Sequence, residues 1–215
     1  MAITVKSMAV TGVLSAVVIV LGTTGLGFIV FPFGASITIL QTPVIIGAIL
    51  EGPFAGFFIG LLFGVFSIVQ SALMAATPID MAFVTYPYIA IVPRILIGPA
   101  AWLVYALISG QLKKPSAFAA SSAVRPQAVN PVLESAAIIA AAITGSLVNT
   151  ALVLSGFGIV RLFPWEAIIP VAIANGGLEA AGSAILVFLV ATLWKRIPRG
   201  SGKSRISKNI EHDRS

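Results

Sequence analysis

The chain has 215 residues, of which 58% are hydrophobic and only 9% charged, with a formal net charge of +6. A soluble domain carries roughly a quarter of charged residues to wet its surface, so a soluble globule is nearly excluded and lipid is the matching solvent. Cysteine is absent, which removes disulfides, thiolate metal sites and cysteine nucleophiles together.

Apolar stretches run over 5–22, 53–74, 88–109, 132–156 and 167–194, each long enough to cross a bilayer. They are continuously apolar rather than alternating, which argues against a transmembrane barrel. The first stretch ends at Thr23-Thr24-Gly25 without a clear small-residue cleavage motif, so it is expected to stay as a helix rather than be removed as a signal. The stretch 37–50 is marginal on length alone, and the basic residues decide it. Lys6, the 110–131 loop (Lys113, Lys114, Arg125) and the tail (Lys195, Arg196, Arg199, Lys203, Arg205, Lys208, Arg214) fall on one side only if 37–50 crosses. The positive-inside tendency then gives an all-α membrane protein, a compact bundle of six transmembrane helices with both termini cytoplasmic. The expected membrane domain is 1–198. The polar, basic segment 199–215 is expected to be a disordered cytoplasmic tail.

In this arrangement the outer loops cover about 23–36, 75–87 and 157–166, and Glu51-Gly52-Pro53 is a tight inner turn. Gly52, Gly56, Gly60 and Gly64 recur every fourth residue and make a smooth ridge suited to close helix packing. Gly12 and Ala16 form a shorter notch on the first helix, open to internal packing or to a partner.

Polar side chains inside spans are costly and normally face protein or water. Gln41, Gln70, Arg94, Asn149, Asn175 and Glu179 all fall at similar depths in the outer half. That sorting points to a semi-polar chamber open to the outside. Arg94 follows Pro93, which has no N–H to give the carbonyl of Ile89. The planar guanidinium suits a carboxylate or phosphate. Glu179 shares a helix face with Asn175, and either pairs with Arg94 or meets a ligand. Tyr88, with Asp80, Tyr86, Phe31, Phe33, Phe163 and Trp165, stands in or beside the outer loops, where aromatics anchor in the interface or cover a pocket. No GxxxxGK[ST] loop, HExxH pair or Ser/His/Asp set occurs, so no enzyme, metal or cofactor is expected.

Several segments carry a family likeness. Pro43-Val-Ile-Ile-Gly-Ala-Ile-Leu-Glu-Gly-Pro53-Phe-Ala-Gly56, Ile91-Val-Pro-Arg-Ile-Leu-Ile-Gly98, Thr144-Gly-Ser-Leu-Val-Asn-Thr150 and Ala174-Asn-Gly-Gly-Leu-Glu179 resemble the spans of the substrate-binding S components of energy-coupling factor (ECF) transporters. The likeness covers roughly 5–195. It implies a six-helix subunit of the bacterial plasma membrane that captures a vitamin or related micronutrient from outside. Its partners would be a scaffold transmembrane subunit and two cytoplasmic ATPases, with no nucleic acid. Gly12 and Ala16 are the nearest match to the family's small-residue notch for the scaffold. The pattern looks closest to the pantothenate type, then the cobalamin type. The other readings are a self-sufficient carrier and an intramembrane enzyme. The substrate-binding set expected on this basis is Arg94, Asn149, Asn175, Glu179, Gln41, Gln70 and Tyr88.

Overall fold

The computed structural model describes residues 5–24, 27–30, 36–73, 78–110 and 130–196. The tail from 199, the basic residues of the 110–131 loop, and Phe31 and Phe33 lie outside the described residues. In chain order the elements are α1 (Val5–Thr23), β1 (Phe28–Val30), β2 (Ser36–Thr38), α2 (Gln41–Glu51), α3 (Pro53–Leu73), α4 (Pro78–Thr85), α5 (Pro87–Ile108), α6 (Pro131–Ile159) and α7 (Trp165–Arg196). Four segments, Pro53–Leu73, Pro87–Ile108, Pro131–Ile159 and Trp165–Trp194, are long and apolar enough to cross a membrane. With α1 and the many apolar side chains on the periphery (Val13, Phe58, Leu62, Leu103, Leu147, Ile173 and Ile185 among them), they describe a multi-pass membrane protein.

Two expectations are corrected here. The bundle is helical as expected, but β1 and β2 pair antiparallel, with Phe28 opposite Thr38 and Val30 opposite Ser36, in a stretch read from the sequence as loop and span start. The segment 75–87, also expected as loop, contains α4. Pro78 at its first turn and Asp80 in that turn are the start signals of a helix, because the ring presets φ and a carboxylate favours the N-terminal dipole.

Helix α2 is the axis of the bundle. It contacts α1, α3, α5, α6 and α7, and Gln41 to Ile49 are all buried. Its 11 residues rise about 16 Å, half of a hydrocarbon core of about 30 Å, so a crossing here needs the residues flanking the helix as well. Leu40, Val44, Ile45 and Ile49 pack with Ile59, Ile97, Tyr105 and Val187 into the main core. Apolar residues all round α2 follow from that central position.

The turn from α2 into α3 needs glycine. Gly52 has φ 99°, a region that side chains avoid, and its N–H closes α2 on the carbonyl of Ala48 at 3.0 Å. Gly52 is therefore a cap and not part of the α3 ridge. The remaining ridge packs internally, on the backbone of α5. An added Cβ at Gly56 would lie 2.8 Å from the Cα of Gly98, at Gly60 it would meet the carbonyl of Arg94, and at Gly64 it would lie 2.9 Å from the Cα of Ile91. This close seam fixes where α5 presents Arg94.

Candidate functional site

The seam between α3 and α5 opens towards the end of the bundle that carries the hairpin and α4. A cavity of about 490 Å³ lies there, within the ~300–1,000 Å³ typical of small-molecule sites. Its apolar wall includes Phe63, Phe83, Phe157, Val153 and Leu154. Its polar groups are Thr38 from β2, Ser67, Gln70 and Ser71 from α3, Asp80 from α4, Arg94 from α5, Asn149 and Thr150 from α6, and Asn175 and Glu179 from α7.

Arg94 is buried. Its Nη1 donates to the carbonyl of Ile89 at 3.0 Å, the acceptor left without a helical donor by Pro93. Its guanidinium carbon lies 4.7 Å from the Phe83 ring centroid and 5.4 Å from that of Phe63. The two ring faces stabilise the cation without neutralising it. Its Nε is buried and has no hydrogen-bond partner among the described residues.

Glu179 is committed elsewhere. Its Oε2 accepts from the Thr150 hydroxyl at 2.7 Å, and its Oε1 accepts from the backbone N–H of Thr38 at 3.2 Å. This ties α7 to α6 and to the hairpin. Among the described residues no ion pair joins Arg94 to Glu179, so the sequence alternative of an interhelical Arg94–Glu179 lock is not what the structure contains. The two opposite charges line one cavity from different helices.

The other sequence candidates divide. Gln70 lines the cavity and donates to the carbonyl of Gly22 at 2.9 Å, holding α3 against the end of α1. Asn149 and Asn175 line it as well. Gln41 does not: it is 0% exposed and lies behind the wall. Its Nε2 donates to the hydroxyls of Ser146 at 2.8 Å and Ser183 at 2.9 Å, and its Oε1 accepts from Asn149 Nδ2 at 3.1 Å. Tyr88 is 51% exposed, meets Tyr86 edge-on at 6.0 Å between centroids, and is absent from the lining. Gly12 and Ala16 are exposed on α1, and a Cβ added at Gly12 meets nothing within 4 Å.

Sequence reasoning missed Phe83, Thr38 and Thr150 as parts of this site. Phe83 sits on α4, which had been read as loop, Thr38 sits at the start of the stretch 37–50 that had been read as a span, and Thr150 passed as part of a motif without a role. Phe63, on α3, also turns one ring face to Arg94.

A family model described as "ECF transporter, substrate-specific component" matches residues 6–191, nearly the whole chain. Over 96 residues the chain is 34% identical to the pantothenic acid transporter PanT of Lactococcus lactis subsp. cremoris, a match covering 39% of this chain and 48% of that protein. The chain thus spans about half the length of the curated relative it matches. The motifs of α2–α3, α5, α6 and α7 all fall inside the family match, and the chain belongs to the substrate-specific components of ECF transporters.

Proposed function

We propose that this chain captures pantothenate, or a closely similar hydroxy acid, at the outer face of a bacterial plasma membrane. Arg94 receives the carboxylate, and Asn149, Asn175, Glu179 and Gln70 contact the rest of the molecule. The observation that carries this reading is Arg94 itself. It is a buried cation lining a ligand-sized cavity that Glu179 also lines, faced by two phenyl rings, and among the described residues it is in no ion pair and its Nε has no hydrogen-bond partner. A buried charge without a partner is costly, and an anionic ligand would supply that partner. The name of the Lactococcus relative supports pantothenate. The modest cavity favours it over a corrinoid.

In the same proposal the chain crosses the membrane six times, with both termini cytoplasmic and the hairpin, α4 and the cavity mouth outside. Of the Lys and Arg residues, all but Arg94, inside a span, and Arg161, in an outer loop, then fall on the cytoplasmic side, which supports this. Uptake is driven by a scaffold subunit and two ATPases, and the open notch at Gly12 and Ala16 is the contact for the scaffold. Proteoliposomes test the division of labour. Vesicles with this chain alone should bind pantothenate without accumulating it, and vesicles that also hold the scaffold and ATPases should accumulate it with ATP. Sustained accumulation by the chain alone would mean a self-sufficient carrier.

A further inference from the structure

We infer that Gln41, which lies behind the cavity wall, dictates which hydrogen-bonding polarity the ligand presents to Asn149. The inference rests on reading the cavity as the solute site. Gln41 has two amide hydrogens, and both are directed at serine oxygens, Ser146 at 2.8 Å and Ser183 at 2.9 Å. Its remaining hydrogen-bonding group is Oε1, which can only accept. That oxygen faces Asn149, so Asn149 turns its amino group to Gln41, at 3.1 Å.

The consequence falls on the other half of the Asn149 amide. With Nδ2 held by Gln41, Oδ1 cannot turn to that partner. It is buried and, among the described residues, unpartnered, on a residue that lines the cavity. A buried acceptor left unpaired carries a desolvation cost that a matching donor removes. The ligand therefore brings an O–H or N–H donor to Asn149 and its anionic group to Arg94, a lining residue whose buried Nε likewise has no hydrogen-bond partner among the described residues. The substrate class is a small acid with a hydroxyl or amide N–H set apart from its carboxylate. An acid of the same shape with only acceptors at that point leaves Oδ1 unpaired and binds more weakly. Gln41 is a positioning residue: it touches no ligand and acts through Asn149.

The test is a double-mutant cycle on the full chain in detergent, with Gln41→Met, Asn149→Ala and the double variant. Methionine keeps the length and flexibility of glutamine while removing its amide. The probes are pantothenate and pantothenate with its hydroxyls methylated. The wild type should prefer pantothenate by about tenfold or more, the scale of one hydrogen bond to an otherwise unpaired buried group. Gln41→Met should collapse that preference to about threefold or less, and the double variant should bind no worse than Asn149→Ala. An unchanged preference in Gln41→Met, or losses that multiply in the double variant, would overturn the relay. If the wild type binds no pantothenate, the substrate reading alone falls. The same four proteins are then compared by thermal melting: non-additive losses support the Gln41–Asn149 relay and additive losses overturn it.

Discussion

Arg94 reaches back along its own helix to the carbonyl of Ile89, 3.0 Å from Nη1. That carbonyl is the one deprived of its helical donor by Pro93. One proline thus creates both a gap in the backbone ladder and the anchor for the buried cation beside it. The guanidinium is oriented by backbone, and the two phenyl rings hold it flat.

Replacing Pro93 by alanine should separate helix stability from ligand binding. Pro93→Ala restores an N–H to Ile89, which then competes with Arg94 for the same oxygen. Melting temperature in detergent should not fall, because a helical hydrogen bond is regained. Affinity for pantothenate should drop about three- to tenfold, the worth of one orienting hydrogen bond. Calorimetric titration and a melting curve on the same preparation check both halves.

The glycine seam should be intolerant of any side chain. Gly60→Ala drives a Cβ into the carbonyl of Arg94, and such overpacking costs about 1–3 kcal/mol. Its melting temperature should fall by several degrees, and binding should weaken because Arg94 moves with its backbone. Gly12→Leu is the contrast, since nothing lies within 4 Å of an added Cβ there. It should leave melting and pantothenate binding unchanged in the isolated chain and weaken association with the scaffold subunit, measured by co-purification.

Glu179 should latch the hairpin. Its Oε1 accepts the Thr38 N–H, and the Thr150 hydroxyl steadies its other oxygen. A hydrogen bond to a carboxylate contributes about 1.5–3 kcal/mol. Glu179→Ala should therefore raise amide exchange at Thr38 in the ligand-free protein by at least about tenfold, while exchange in the middle of α2 stays the same. Hydrogen–deuterium exchange read by mass spectrometry checks this.

How much of this was legible from residues alone follows from what hydropathy encodes. It encodes depth. Arg94, Asn149, Asn175, Glu179 and Gln70 sit at matching distances along their spans, and all five reach one cavity. It does not encode direction around a helix axis. Gln41 has the same depth but faces into the bundle at Ser146 and Ser183. Tyr88 precedes Arg94 by six residues, which at about 100° per residue places the two on different faces of α5. Asn175 and Glu179, four apart, share one face and both reach the cavity. Phe28-Ile-Val and Ser-Ile-Thr form strands only because they pair with each other, a relation that no single stretch displays. The glycine ridge was legible as a packing surface, but its partner helix was not.

Calorimetric titration of the purified chain with pantothenate and with its alcohol analogue, which lacks the carboxylate, bears most directly on the Arg94 cavity. The wild type should bind pantothenate with a Kd below about 1 μM. Removing one partner of a buried, hydrogen-bonded charge pair costs about 2–5 kcal/mol, so Arg94→Ala should weaken pantothenate at least about thirtyfold and alter the alcohol by less than about threefold. A folded Arg94→Ala protein that binds pantothenate as tightly as the wild type, or loses both ligands equally, would contradict the account.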